Sequence, residues 1–122
     1  ALGIDFTARD LQSDLKKKGL PWELSKAFDG SAVLSEFFPK EDFDLKNLNF
    51  SLLKNGEKVQ DGNSSQMMYT PDQIIAFVSQ YFTLKKGDLI FTGTPKGVGK
   101  VVENDVLTAF LRDKEVLRVK IN

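Results

Sequence analysis

A loop rich in glycine, threonine and proline is the stretch best suited to hold a ligand. It follows the apolar residues 89–91 and reads TGTPKGVG over residues 92–99. Glycine allows a positive φ and a close approach of the main chain to a bound group, and proline restricts Thr94 before it. Amide N–H groups and threonine hydroxyls in such a loop suit an anion or a carboxylate. A glycine-rich turn between two strands is the alternative interpretation.

The spacing of the glycines excludes the common nucleotide-binding loops. A P-loop has four residues between its first glycine and a Gly-Lys pair that precedes Ser or Thr. Here Gly93 and Gly99 enclose five residues, and Lys100 precedes Val101. The dinucleotide fingerprint of three spaced glycines is also absent. The ligand of this loop therefore has to be inferred from other residues.

Two ionisable residues near the N-terminus could take part in chemistry. Asp5 lies near the end of the apolar run 1–6, where a carboxylate needs a cation or hydrogen-bond donors to offset its desolvation. Lys26 stands between Leu24 and Phe28, whose side chains would partly desolvate its ammonium and favour an active lysine. The structural alternatives are an Asp5 that accepts bonds from the next helix and a Lys26 that is a surface group.

The composition indicates one soluble domain with a modest core, and the absence of cysteine fits a cytoplasmic protein. The 122 residues are 41% hydrophobic, and 17 basic residues balance 17 acidic ones. The chain therefore has no net charge that would favour binding to nucleic acid or to an anionic membrane. The chain has no cysteine for disulfides or thiolate ligands and no histidine to serve as a base. Because it begins at Ala1 without a methionine, a fragment or a processed product is expected.

Strands and short helices must position these residues. The run 1–6 predicts a strand, and Thr7 is the predicted N-cap of a helix that has Leu15 on its apolar face and ends at Gly19. Residues 32–38 form a second apolar stretch.

Two hairpins and a longer helix make up the remainder. Alternation of apolar residues around Asn55-Gly56 predicts a hairpin over 48–59, whose return strand ends near Asp61-Gly62. A second hairpin is predicted to join strands at 106–111 and 116–121. Residues 89–91 predict a short strand. The capping box at 70–73 begins a helix whose apolar stripe is expected to pack on a sheet. The stripe consists of Ile74, Ile75, Val78, Tyr81 and Phe82.

Several short motifs run in order along nearly the whole chain. They are DFTARDLQ at 5–12, KGLPW at 18–22, KAFD at 26–29, NGE at 55–57, QDGN at 60–63, GDLI at 87–90 and TGTPKGVG at 92–99. In order and spacing they resemble the fumarylacetoacetate hydrolase family, most closely its small acylpyruvase-like members. The resemblance implies an α+β, mostly β fold, a mixed β-sheet roll with short helices. Residues 1–122 would be the C-terminal portion of the catalytic domain of a homodimer.

The resemblance also implies roles for individual residues. Asp5 is similar in position to the aspartate that binds Mg2+ or Mn2+ together with two glutamates of a Glu-x-Glu motif. Lys26 matches the lysine that stabilises a developing carbanion or enolate, and it is the expected catalytic residue. Thr94 matches the threonine that meets the substrate carboxylate. The residues expected to bind substrate are Arg9, Gln12, Gly93 and Thr94.

The activity implied for the complete protein is metal-dependent hydrolysis of a C–C bond in an acylpyruvate or related β-diketo acid, through a metal-bound enolate. Decarboxylation of oxaloacetate, and isomerisation or decarboxylation of an unsaturated dicarboxylate, are alternatives within the family. The Glu-x-Glu pair and the His-Glu dyad that activates water have no counterpart in these 122 residues. The chain alone is therefore expected to bind Mg2+ weakly and to be inactive. The alternative to an enzymatic function is that the chain is an inactive structural fragment.

Overall fold

The computed structural model describes residues 1–122, which form six β-strands, three α-helices and two short 3-10 helices. The strands are β1 (Gly3–Asp5), β2 (Ala32–Leu34), β3 (Asn49–Lys54), β4 (Glu57–Asn63), β5 (Val106–Leu111) and β6 (Lys114–Lys120). The helices are α1 (Arg9–Lys17), α2 (Glu23–Lys26) and α3 (Pro71–Val78), and the 3-10 helices span Lys40–Asp42 and Ser64–Gln66. The predicted α+β, mostly β class is confirmed.

The strands form two separate sheets. β1 pairs with β2 in a two-stranded sheet, and the other strands form a four-stranded sheet in the order β4-β3-β5-β6. Every pairing within the chain is antiparallel. A mixed sheet also contains parallel strand pairs. None of the strand pairs within these 122 residues is parallel. No helix combines the length and the apolar character needed to span a bilayer.

Both predicted hairpins are present in the four-stranded sheet. The β3–β4 turn has Asn55 at φ 52° and Gly56 at φ 87°, the two positive angles that a two-residue hairpin turn of this type requires. β4 continues to Asn63, one residue beyond Asp61-Gly62, near which the return strand is predicted to end. In the second hairpin, Arg112 at φ 54° begins the turn between β5 and β6.

The carboxylate of Asp105 joins the two hairpins. Its Oδ1 accepts a hydrogen bond from Asn55 Nδ2 at 2.7 Å. Its Oδ2 accepts one from the Val102 backbone N–H at 2.9 Å and lies 3.1 Å from Lys54 Nζ. Asn55 Oδ1 in turn accepts the N–H of Val106 at 2.8 Å. Asp105 is 6% exposed. The Val102 N–H, the Asn55 amide and the Lys54 ammonium hold the pKa of the Asp105 carboxyl below its ordinary value.

The buried apolar residues are concentrated on β5, which lies between β3 and β6. Leu107 and Ala109 are each 2% exposed, and Leu111 and Leu15 of α1 are also buried. The alternate residues of a strand point to the same face of its sheet, so β5 buries one apolar face. The small core of this chain is therefore centred on the four-stranded sheet.

The capping box of α3 is confirmed, but the predicted packing of its apolar stripe is wrong. Thr70 Oγ1 accepts the Gln73 N–H, and Gln73 Oε1 accepts the Thr70 N–H. The helix ends at Val78 and contains no buried residue. Ile75 is 47% exposed and Tyr81 is 70% exposed. Helical periodicity indicates that a helix has an apolar face, but it carries no information about what covers that face.

The predicted strand at residues 89–91 is also wrong, because no helix or strand is present from residue 79 to residue 105. A strand needs a neighbour that supplies a ladder of backbone hydrogen bonds, and the apolar run 89–91 has none. Its side chains nevertheless pack. The Phe91 ring lies so close to Gly3 that a Cβ on Gly3 would be 2.7 Å from the ring. The run is thus held beside β1 by side-chain contact.

Leu107→Ala should lower the free energy of unfolding of this chain by about 2–5 kcal/mol, because it leaves a cavity beside a fully packed strand. Ile75→Ala should lower it by less than about 1 kcal/mol, since much of that side chain is already hydrated. Urea denaturation followed by circular dichroism measures both values. Equal losses would contradict the burial of Leu107 and the exposure of Ile75.

The stability of the chain should fall in acid through Asp105. Its pKa in the folded state lies below the ordinary 3.8, so the carboxylate favours folding above that pH, and this contribution is lost as the pH falls through the folded pKa. The difference in unfolding free energy between wild type and Asp105→Asn should be constant above about pH 5 and shrink below it. The exposed Glu103→Gln is the control. A difference that does not change with pH would rule out this role for the carboxylate.

Candidate functional site

The side chain of Lys26 is held by three acceptors at the end of β1. Lys26 Nζ donates to Asp5 Oδ1 at 2.6 Å, to Thr7 Oγ1 at 2.9 Å and to the Phe6 carbonyl at 3.2 Å. An ammonium has three N–H donors, so all of them are used. We refer to Asp5, Phe6, Thr7 and Lys26 as the Lys26 cluster. Asp5 and Lys26, which the sequence assigns to one site, are therefore in direct contact.

Both charged side chains of this cluster remain partly hydrated. The side chain of Lys26 is 35% exposed and that of Asp5 is 45% exposed. Leu24 is 71% exposed and Phe28 is 39% exposed, so neither of the apolar side chains expected to desolvate Lys26 is itself packed away from water.

Ser25 positions α2 so that Lys26 faces the end of β1. Ser25 is fully buried, and its hydroxyl donates to the Trp22 carbonyl at 2.6 Å. Its own carbonyl accepts the N–H of Ala8, the residue before α1. Nothing in the local sequence singled out Ser25, because its importance depends on a contact with a residue 17 positions earlier in the chain.

The prediction that Thr7 caps α1 is wrong. The N-cap position is Ala8, and no side chain caps this end of the helix. Thr7 instead accepts a hydrogen bond from Lys26. Residues two apart on an extended segment project to the same side, so the spacing of Thr7 and Asp5 was a signal that could have identified it as part of the cluster.

Arg9 and Gln12 contact each other on α1. Arg9 Nη1 donates to Gln12 Oε1 at 2.9 Å, and Gln12 is buried. Neither side chain forms a hydrogen bond with Asp5 or Lys26. The two residues are therefore near the Lys26 cluster along the chain, but hydrogen bonding does not join them to it.

An open hollow of about 600 Å³ borders the Lys26 side chain. It is lined by Gly19, Leu20, Pro21, Trp22, Glu23 and Lys26. The ammonium of Lys16 lies 4.4 Å from the centroid of the Trp22 ring, which is a favourable distance for a cation–π contact. The hollow gives a small molecule access to the segment that carries Lys26.

The threonine-glycine loop lies on β4 rather than on the Lys26 cluster. Gln60 Nε2 donates to Thr94 Oγ1 at 2.9 Å and to the Pro95 carbonyl at 3.1 Å. Gly97 has φ 101°, and a Cβ there would lie 2.0 Å from the Val59 carbonyl oxygen, so only glycine fits. We call residues 93–97 the Thr94 loop.

Because the resemblance assigns Asp5, Lys26 and Thr94 to one substrate, they are expected to lie in one cleft, but within this chain only Asp5 and Lys26 are in contact. No hydrogen bond joins the Thr94 loop to the Lys26 cluster. Gly93, the other predicted residue of the loop, is exposed with φ 108°. Phe91, three residues before Thr94, packs on Gly3, two residues before Asp5, and this contact connects the two regions.

The side chains of this chain do not by themselves fit the metal site that the resemblance implies. No group of three histidine, cysteine, aspartate or glutamate residues could hold a metal ion. Asp5 stands alone, and its Oδ1 is already bonded to Lys26. A hard divalent cation needs about six oxygen ligands, several of them from carboxylates or carbonyls. Asp5 could therefore be one ligand of such an ion but could not hold it alone.

Comparisons with known proteins place this geometry in context. A sequence profile for the family described as Fumarylacetoacetate (FAA) hydrolase C-terminal matches residues 1–122. The mitochondrial oxaloacetate tautomerase FAHD1 of Bos taurus is 48% identical over 122 residues, which cover 99% of this chain and 55% of the relative. The oxaloacetate tautomerase YcgM of Escherichia coli (strain K12) is 46% identical over 109 residues, which cover 88% of this chain and 50% of the relative.

Two solved structures of related proteins have the same fold as this chain. A putative fumarylacetoacetate hydrolase family protein from Yersinia pestis CO92 has a TM-score of 0.92 at 42% identity and matches 98% of this chain and 57% of its own. Fumarylpyruvate hydrolase from Pseudomonas aeruginosa, in complex with Mn2+ and pyruvate, has a TM-score of 0.90 at 34% identity and matches 98% of this chain and 52% of its own. The chain thus spans about half the length of the relatives it matches.

Lys26→Met should change the free energy of unfolding of this chain by no more than about 1 kcal/mol, because ion pairs that remain partly exposed contribute little. Lys54→Met is the matched comparison. It removes the cation beside the buried Asp105 carboxylate and should cost more, since that carboxylate cannot be hydrated as freely. Urea denaturation of the two variants measures the difference. A larger loss in Lys26→Met would mean that the Lys26 cluster is mainly a structural element.

Proposed function

The chain belongs to the fumarylacetoacetate hydrolase family, and from this membership we propose that the complete protein is an enzyme that tautomerises oxaloacetate or a closely similar 2-oxo dicarboxylate. Family members are enzymes, and two relatives that share nearly half of their aligned residues with this chain are named oxaloacetate tautomerases. The observation that carries the proposal is the Lys26 ammonium, fixed by three acceptors at the edge of an open hollow.

The reaction needs a stabilised enolate and a transferred proton. The enol loses its hydroxyl proton, C3 gains one, and the intermediate carries a negative charge on the 2-oxygen. A cation held in place before the reaction stabilises such a charge without having to reorganise. Lys26 is proposed to fill this role, with the enolate oxygen replacing its longest acceptor, the Phe6 carbonyl at 3.2 Å. Asp5 would keep the ammonium in position throughout.

Hydrolytic cleavage of a C–C bond in an acylpyruvate is the second candidate. It is favoured by the similarity to the Pseudomonas aeruginosa fumarylpyruvate hydrolase, and it passes through the same kind of enolate. This reaction also requires a base to activate water. The chain contains no histidine, so that base would have to be another residue.

The remaining parts of the proposal rest on the resemblance and on the relatives. Residues 1–122 would form the C-terminal portion of the catalytic domain of a homodimer. The substrate would be held by the residues matched from the family, Arg9, Gln12, Gly93 and Thr94. The complete protein would use Mg2+ or Mn2+, as the Mn2+ of the Pseudomonas structure suggests. Carboxylates beyond Asp5 would then have to come from outside these 122 residues.

In the complete protein, Lys26→Met should lower the turnover of enol-oxaloacetate by about 10²-fold or more, the scale of losing one strong electrostatic stabiliser. The loss of the ultraviolet absorbance of the enol measures the rate. Lys17→Met is the control, because Lys17 forms a similar surface ion pair with Asp14 at 3.7 Å. Unchanged turnover in Lys26→Met would remove Lys26 from the mechanism.

The same wild-type protein, assayed for acetylpyruvate and fumarylpyruvate cleavage, separates the two candidate reactions. Cleavage without tautomerisation of oxaloacetate would replace the first candidate by the second.

A further inference from the structure

The side-chain amide of Gln60 has only one orientation that fits its surroundings. Its nitrogen lies 3.1 Å from the Pro95 carbonyl oxygen. A carbonyl can only accept, so the atom facing it must be the NH2 group. The second N–H of that group points at Thr94 Oγ1 at 2.9 Å. The orientation of this amide therefore follows from the chemistry of its partners.

This orientation fixes what the Thr94 hydroxyl can do. Because Gln60 donates to Thr94 Oγ1, the threonine acts as the acceptor in that bond and keeps its own O–H proton for another partner. Thr94 is exposed, so an approaching acceptor can reach it. A carboxylate is an acceptor with no proton of its own at neutral pH. The Thr94 hydroxyl is thus left as a donor that suits a carboxylate.

The loop is held against β4 closely enough to preserve this arrangement. A Cβ on Gly62 of β4 would lie 3.0 Å from Pro95 Cγ, and one on Gly97 would collide with the Val59 carbonyl. At Gly97 the two backbones therefore approach as closely as glycine allows, and at Gly62 the Pro95 ring lies against β4. Gln60 lies between these two contact points.

We infer that Gln60 is a positioning residue for substrate binding, which keeps the Thr94 hydroxyl available as a hydrogen-bond donor to the carboxylate of a 2-oxo acid. The inference rests on the proposed function, in which Thr94 meets that carboxylate, and it adds a residue to which the family motifs assigned no role. Gln60 reaches the substrate only through Thr94.

Gln60→Glu in the complete protein is the sharpest test, because the two side chains have the same shape. A glutamate carboxylate can only accept, so it would draw the Thr94 proton to itself and would repel the substrate carboxylate. The KM for oxaloacetate and the Kd for pyruvate, measured by calorimetry, should rise about tenfold or more, with kcat changed much less. Gln80→Glu adds the same charge at an exposed site and should leave both constants unchanged.

Two further variants separate positioning from a structural effect. Gln60→Met removes the donor without adding charge, so it should weaken pyruvate binding less than Gln60→Glu does. Lowering the pH toward the ordinary glutamate pKa of about 4.3 should restore binding in Gln60→Glu relative to wild type, because a protonated glutamate can donate again. Gln60→Met should show no such recovery. A purely structural role would give the same pH dependence in both variants.

The inference and the proposed function can fail separately. Wild-type pyruvate affinity in Gln60→Glu, with weakened binding in Thr94→Val, would overturn the role of Gln60 alone. Wild-type affinity in Thr94→Val, or no pyruvate binding by the wild type, would overturn the inference together with the assignment of Thr94. Pyruvate binding that depends on Gln60, in a protein that turns over neither oxaloacetate nor an acylpyruvate, would support the inference and reject the proposed reaction.

Discussion

The buried carboxylate of Asp105 is the constraint on which most of the ordered structure depends. A charge that is largely removed from water must be satisfied by donors, and here they come from Lys54 and Asn55 of the first hairpin and from Val102. The same residue leads directly into β5, the strand with most of the buried apolar side chains. Satisfying one carboxylate thus aligns β3 with β5 and fixes where the long irregular segment ends. The position of the Thr94 loop on β4 depends in turn on that hairpin.

Features specified by neighbouring residues could be predicted from the sequence. The Asn55-Gly56 turn and the Thr70–Gln73 capping box involve residues at most three apart, and both are present. Features that depend on distant residues could not be predicted. The apolar run 89–91 has the composition of a strand but no neighbour with which to pair. Likewise, the apolar face of α3 was recognisable, but its exposure was not.

The same distinction applies to the candidate site. Asp5 and Lys26 could be chosen together because motifs along the chain resembled those of a family, and they are in contact across 21 positions. Ser25 and Gln60 carried no local signal, although one orients α2 and the other contacts the Thr94 loop. A buried serine and a strand glutamine are common in any sequence. Ser25 matters because its carbonyl accepts the Ala8 N–H, and Gln60 matters because its amide donates to Thr94 Oγ1 and to the Pro95 carbonyl. Only the folded chain brings these groups within reach.

The irregular segment from residue 79 to residue 105 has a further consequence for how the chain tolerates changes in length. The entropy lost on closing a loop grows only with the logarithm of its length, so each doubling costs about 0.6 kcal/mol. The Asn55–Asp105 contact closes 50 residues and the Asp5–Lys26 contact closes 21, so the two differ little in closure entropy. Insertions between the anchored points of this segment, before the hydrogen-bonded turn Lys85–Asp88, would therefore cost little, provided that the contacts of Gln60, Phe91 and Asp105 are kept. The length of the segment can therefore change while the two hairpins keep their geometry.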